Sequence, residues 1–282
     1  MKARQKTIRH PVECHGVGVN LGRKVRLRLV PAEPGTGLVF VRTDLGSTAA
    51  IPVRPDAVAA EPRRTVLRAG KAEVQMTEHL LAAVAGLAID NLTIEISGPE
   101  LPVGDGSALI FAELILEAGV VEQKAERPDH RIREPISLTD GDASIEAQPA
   151  EEGLRLAYTL DYPESPIPRQ TVEWLITPDT FMDQLAPART FVFEHEAARL
   201  IAAGFGRAAN PDNTLVVRAD GSLLGNTLRF EDELARHKLV DLLGDLRLAG
   251  GGIVGHIRAE RSGHAHNLRL AEHVHAQIQP TS

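Results

Sequence analysis

The chain has 282 residues, 43% hydrophobic and 24% charged, the composition of a soluble globular protein with room for two ordinary domains or one large one. Its formal net charge is −7 with both signs scattered, and only 4% of residues are aromatic, which argues against a nucleic-acid surface of basic patches and stacking rings. A single cysteine, Cys14, excludes an internal disulfide framework and a cysteine-based zinc finger, and no window reaches the roughly 18 apolar residues that span a bilayer.

The basic start, Met1 to Lys6, is followed by no apolar run of the kind a secretory signal needs, so a cytoplasmic protein is expected, with peripheral membrane contact left open. Strict alternation over Val25-Arg26-Leu27-Arg28-Leu29 predicts a half-buried strand, and Leu38-Val39-Phe40-Val41 predicts the next. A helix is expected after Thr77 as N-cap, running from Glu78 and His79 through Leu80 to Ala85, with Gly86 ending it. Asn91 to Ile96 alternates again, and Ser107 to Leu116 reads as a helix. The polar run Glu122 to Pro135, with Pro128 inside it, is the expected linker.

Beyond it, Ala143 to Ala147 and Leu154 to Tyr158 read as strands, and Glu194 to Ala203 and Phe230 to Leu248 as helices. Strands grouped ahead of helices in each half point to α+β layers rather than a parallel βαβ sheet. The similar order of elements in the two halves suggests an old duplication, with one domain over 1–125 and a second over 126–282.

Three clusters of histidine and carboxylate carry the chemistry. On the helix Arg236 to Asp245, residues four apart share a face, so His237, Asp241 and Asp245 form one polar stripe with Lys238 beside it. The rest of that helix is apolar enough to be buried, and unpaired buried charge is very costly. A divalent metal would neutralise the stripe; a buried salt-bridge cluster would do so too, and the helix alone does not choose. In Thr77-Glu78-His79 the two functional side chains diverge by about 100° on a helix. His79 could then bind a metal while Glu78 reaches a water beside it; equally, Glu78 could only favour the helix N-terminus and His79 be an ordinary core histidine. His79, His237 and Asp241 together would make a set that suits zinc with a fourth position left for water, and that ferrous iron would also accept. In the third cluster, Ser262-Gly263 places His264 at an element end, where it could be a general acid held by a carboxylate such as Asp245, or simply an exposed histidine. In Ala188-Arg189-Thr190-Phe191, Thr190 could donate to an oxyanion and Phe191 form an apolar wall, though nothing in the residues singles them out.

Taken in order along nearly the whole chain, these segments resemble the UDP-3-O-acyl-N-acetylglucosamine deacetylases, zinc amidases of lipid A biosynthesis. The resemblance is carried by Gly16-Val17-Gly18, Gly37 to Leu45, Thr77 to Ala83, Gly86 to Asn91, Asp105-Gly106-Ser107-Ala108, Ala188 to Phe191, Leu228 to Glu233, Arg236 to Asp245 and Ser262-Gly263-His264. It implies two similar α+β domains with helices packed between small sheets. It implies one catalytic Zn2+ on His79, His237 and Asp241, with Fe2+ as the other candidate. It makes Glu78 the general base, His264 the general acid, Asp245 the support of His264, and Thr190 an oxyanion donor. Lys238 would face the substrate near the metal and Phe191 would contact the sugar or its nucleotide. The second domain would carry most of the metal site and, along Ala197 to Phe205, an acyl passage whose pattern ordinary core packing explains equally well.

The implied reaction is hydrolysis of the N-acetyl amide of UDP-3-O-acyl-N-acetylglucosamine, the committed step of lipid A biosynthesis, by a monomeric enzyme. The alternatives are a related metal amidase acting on another acylated amino-sugar, or a non-catalytic nucleotide-sugar binder. Retention of both a base and an acid argues against the binder. Three departures from the family stand out, one of them the unusually glycine-rich Ala249-Gly250-Gly251-Gly252 after the metal helix. Gly18-Val19-Asn20 lies where a Gly-Leu-His turn is usual, and Arg207 to Asn213, stiffened by Pro211, replaces a segment often rich in glycine and serine.

Overall fold

A computed structural model describes residues 3–46, 49–59, 61 and 63–278. Met1 and Lys2 of the basic start lie outside them. In the first half the strands are β1 (Arg4–Ile8), β2 (Val12–Val17), β3 (Lys24–Pro31), β4 (Leu38–Arg42), β5 (Ala50–Pro52), β6 (Val58–Ala59), β7 (Val66–Ala69) and β8 (Ala72–Gln75). Helix α1 (Glu78–Gly86), β9 (Leu92–Ile96), α2 (Leu109–Glu117) and β10 (Val120–Glu126) follow. The second half holds β11 (His130–Arg131), β12 (Ile136–Asp140), β13 (Ala143–Gln148), β14 (Leu154–Leu160) and β15 (Gln170–Leu175). A short α3 (Pro178–Thr180) then runs into a π-helical turn, Phe181–Leu185, before β16 (Phe191–Phe193), α4 (Glu194–Ala202), β17 (Leu215–Val217), α5 (Glu233–Leu246), β18 (Ile253–Glu260) and α6 (His264–Ile278).

The architecture is α+β, as the grouping of elements predicts. Its two main sheets share one plan. In the first the order is β2-β3-β9-β4-β5; in the second it is β12-β13-β18-β14-β15, with β11 added beside β18. In each, the central strand is the last in sequence, antiparallel to the hairpin on one side and parallel to the inner strand of the hairpin on the other. Alternation drives this: along β3, Val25, Leu27 and Leu29 are buried while Lys24, Arg26 and Arg28 face out.

Helices α1 and α5 pack face to face, and α5 is backed by β14 and β15. Their approach is set by Gly244, where a Cβ would stand 2.0 Å from the carbonyl oxygen of Glu78. Only glycine allows that contact, so the start of α1 lies against the last turn of α5. Nearly every residue of α5 is buried, polar ones included, as the need to neutralise its stripe anticipates.

Three expectations are corrected. Glu122 to Pro135 is not a bare linker: β10 occupies it to Glu126 and pairs with β1, and β11 pairs with β18. Its polar composition reflects a half-exposed two-stranded ribbon. Thr77 precedes α1 but its side chain caps nothing; Thr77 has helical backbone angles and its buried hydroxyl has no partner. Helices α2 and α5 begin later than expected, at Leu109 and Glu233, because Ser107 and Asp105 bond each other in a turn and the Glu233 side chain folds back onto the Arg229 N–H.

Candidate metal centre and active site

The start of α1 and the middle of α5 meet at His79, His237 and Asp241, all buried, with one ligand atom from each lying within 4.8 Å of the others. Nε2 of His237 is 3.4 Å and Nε2 of His79 3.7 Å from Oδ1 of Asp241, and the two rings meet edge to face with centroids 4.9 Å apart. Burial pushes His237 down to about 4, so it is a neutral imidazole. Its Nδ1 lies 3.1 Å from the Ala188 carbonyl, which can only accept, so Nδ1 carries the proton and the Nε2 lone pair faces Asp241 and His79. Two buried imidazoles and a buried carboxylate converging in this way suit a divalent cation.

Lys238 donates to the other oxygen of Asp241 at 2.7 Å, and its ammonium lies 5.9 Å from the centroid of Phe191. Burial disfavours the Asp241 charge, but Lys238 and then His237 outweigh it and hold the carboxyl well below its usual range. Burial likewise opposes the Lys238 charge and Asp241 overcomes it.

Glu78 and His264 flank this cluster. Burial raises the Glu78 carboxyl, while His264 and His79 pull the other way. His264, first residue of α6, places Nδ1 2.8 Å from Oδ2 of Asp245. Burial opposes its charge, but Asp245 outweighs that, with Asp241 and Glu78 adding, and pushes the imidazole up to about 9. With Nδ1 committed to Asp245, Nε2 is the position from which a proton can leave.

Thr190 and Phe191 border the same centre. The Thr190 N–H donates to the Gly106 carbonyl at 2.8 Å, and the Phe191 ring lies 6.4 Å from that of His237. Gly106 has φ +83°, and a Cβ there would stand 2.0 Å from the Asn213 carbonyl oxygen, which explains glycine between Asp105 and Ser107. From Thr190 and Phe191 a cavity of about 570 Å³ runs along the apolar face of α4, past Ala197, Leu200, Ile201 and Phe205. The stretch expected to form an acyl passage thus lines a cavity rather than filling the core: no residue of α4 is buried. Glu78, His79, His237, Lys238, Asp241, Asp245, Phe191 and His264 are thus linked by direct contacts or mutual electrostatics, and Thr190 lines the cavity next to Phe191.

A model of the family "UDP-3-O-acyl N-acetylglycosamine deacetylase" matches residues 5–276. The chain belongs to this family. It is 42% identical over 273 residues to the UDP-3-O-acyl-N-acetylglucosamine deacetylase of Thermosynechococcus vestitus, covering 97% of this chain and 94% of that protein. The protein of the same name from Chlamydia caviae is 38% identical over 277 residues, 98% of each chain, and that of Haemophilus influenzae 39% over 270 residues, 95% and 88%.

For this family member the structure adds residues that sequence reading passed over. The buried Thr65 donates through its N–H to Glu78 at 3.2 Å and through its hydroxyl to Oδ1 of Asp245, so it touches both flanking carboxylates. Asn267 donates to Oδ2 of Asp245 at 2.9 Å. Glu233, fully buried, accepts from Arg189 Nε at 2.8 Å and from the Arg189 N–H at 3.1 Å, fixing the segment that carries Thr190 and supplies the Ala188 carbonyl to His237. Glu233 and Arg189 sit in stretches that carry the family resemblance; Thr65 offers no local signal, because its partners are remote in sequence.

Proposed function

We propose that the protein hydrolyses the N-acetyl amide of UDP-3-O-acyl-N-acetylglucosamine, releasing acetate and UDP-3-O-acyl-glucosamine for lipid A biosynthesis. The observation that carries this reading is the gathering of Glu78 and the His264–Asp245 pair, bridged by Thr65, beside the buried His79, His237 and Asp241 cluster. In a metal amidase a base, an acid and three metal ligands must converge in this way. The relatives named above bear the name of this activity.

His79, His237 and Asp241 would hold one ion. We assign it as Zn2+, the ion that two imidazoles and one carboxylate suit best, with Fe2+ accepted by the same set. When bound, such an ion acts as a Lewis acid toward the amide carbonyl and lowers the pKa of water at the site to about 7. Glu78, kept basic by burial, takes a proton as the water oxygen attacks the acetyl carbon. The Thr190 hydroxyl donates to the developing oxyanion. His264 gives its Nε2 proton to the sugar nitrogen as the carbon–nitrogen bond breaks, so acetate and a free amine leave. Asp245 keeps His264 charged and oriented. Lys238 faces the substrate near the metal site, and Phe191, 5.9 Å from its ammonium, contacts the sugar or its nucleotide.

The acyl chain is assigned to the cavity along α4, whose wall is apolar at Leu200, Ile201 and Phe205. Two domains, 1–125 and 126–282, belong to this reading and are supported by the shared strand plan of the two main sheets. No helix among the described residues is long and apolar enough to cross a membrane. We place the enzyme in the cytoplasm as a monomer.

The test is acetate release measured beside metal content. Purified protein should carry about one ion per chain, lose turnover on chelation, and regain it with Zn2+. Turnover unaffected by complete removal of metal would overturn the reading.

A further inference from the structure

The cavity along α4 has a wall from the other half of the chain, the turn that carries Val19 and Asn20. That turn is rigidly built. Gly18 and Gly22 close it through a Gly22 N–H to Gly18 carbonyl bond of 3.0 Å, and Gly22 has φ +63°. The buried Glu100 carboxylate accepts from the Asn20 N–H at 2.7 Å and the Leu21 N–H at 2.8 Å. Gly18 lies so close to Glu100 that a Cβ would stand 2.2 Å from its carboxylate oxygen.

Onto this fixed turn the loop after α4 is fastened. The Gly206 N–H donates to Oδ1 of Asn20 at 3.2 Å, the Arg207 N–H to the Asn20 carbonyl at 3.4 Å, and the Ala208 N–H to the Val19 carbonyl at 3.0 Å. The Ala208 carbonyl in turn accepts from Asn213 Nδ2 at 3.0 Å. Phe205, Gly206 and Ala209 of the loop line the cavity. Asn20 supplies the side-chain hydrogen bond from the turn to this loop, beside the Arg64 guanidinium 4.9 Å from the Phe205 ring centroid, and it carries no charge or proton that the reaction uses.

We propose that Asn20 is a specificity-determining residue: by latching the Phe205–Ala209 loop to the Gly18–Gly22 turn, it fixes the cavity wall and so the acyl-chain length the enzyme accepts. The backbone bonds of Arg207 and Ala208 bring the loop near, but they leave Gly206, with φ +66°, without an acceptor unless Asn20 provides one. Removing that acceptor frees the part of the loop between Phe205 and Ala209, and a wall that yields no longer discriminates chains by reach. This inference rests on the deacetylase reading for its substrate, but not for the latch itself.

The experiment compares wild type and Asn20→Ala. Hydrogen exchange at the Gly206 amide should rise about 3- to 10-fold in Asn20→Ala, the equivalent of one net hydrogen bond, while exchange at the Ala208 amide, held by the Val19 carbonyl, stays near wild type. With short-chain and long-chain UDP-3-O-acyl-N-acetylglucosamine as probes, the ratio of the two KM values should move toward one in Asn20→Ala. An unchanged exchange rate overturns the latch. Faster exchange with an unchanged KM ratio overturns its role in specificity. Absence of acetate release by wild type from either probe would instead overturn the deacetylase reading, while the exchange measurement still decides the latch.

Discussion

The carboxylate of Asp245 lies 2.8 Å from Nδ1 of His264, and no part of Asp245 reaches solvent. The pair joins the last turn of α5 to the first residue of α6, so the acid sits on two packed helices rather than on a loop. Thr65 bonds the other oxygen of Asp245 and Asn267 shares Oδ2 with His264, so both oxygens are held in place.

A pH dependence follows from this pair. His264 acts protonated, and Asp245 raises it above the ordinary imidazole range, so kcat should fall on the alkaline side as that proton is lost. Asp245→Asn removes the largest influence raising His264, so the alkaline limb should move to lower pH. Stability of the metal-free protein carries the same sign. Because the folded-state value is raised, the pair's stabilisation is complete below about 6.5 and is lost as pH rises toward about 9. Thermal melts across that window check it; melting that improves with pH there would contradict the assignment.

Replacing His264 by Ala should lower kcat by about 10²- to 10⁴-fold with a smaller change in KM, the usual range for a lost general acid. An unchanged kcat would remove His264 from the chemistry.

Gly244→Ala tests the helix contact that brings the two halves of the site together. A Cβ there would stand 2.0 Å from the Glu78 carbonyl oxygen, with backbone on both sides, so the helices must separate. We expect a loss of about 1–3 kcal/mol in stability together with a drop in kcat, because Glu78 moves with the start of α1. Denaturant melts and turnover at saturating substrate measure both.

Breaking the Arg189–Glu233 pair should be costlier. Glu233→Ala leaves the Arg189 guanidinium without its carboxylate in a buried setting, for which about 3–5 kcal/mol is expected. Because this pair holds the Ala188 carbonyl against His237, metal affinity should weaken as well, measurable by titration with a competing chelator.

Much of this site is legible in the sequence because its chemistry lies on helical spacing. His237, Asp241 and Asp245 recur every four residues on a helix otherwise too apolar to be exposed, and such a stripe demands neutralisation. Helical spacing alone does not select how the stripe divides, with His237 and Asp241 turned to His79 and Asp245 to His264; the residues allow that division and the family resemblance implies it. That division depends on where α1 and α6 meet α5, which is set by long-range packing at Gly244 and not by local pattern. The strands β3, β4, β9, β13 and β14 are legible because alternation matches a sheet with one wet face. The β1–β10 ribbon is not, since a half-exposed ribbon has the composition of a linker. Thr65 is invisible for a related reason. A lone threonine before a strand looks ordinary until folding places Glu78 and Asp245 beside it.

The central claim is that Glu78 activates water for attack on the acetyl group, and it is tested most directly by acetate release from UDP-3-O-acyl-N-acetylglucosamine. Zn2+-loaded wild type should turn over, and Glu78→Ala, with metal content and melting behaviour intact, should lose about 10²- to 10⁴-fold in kcat. A Glu78→Ala enzyme that binds its ion and releases acetate at the wild-type rate would contradict the account.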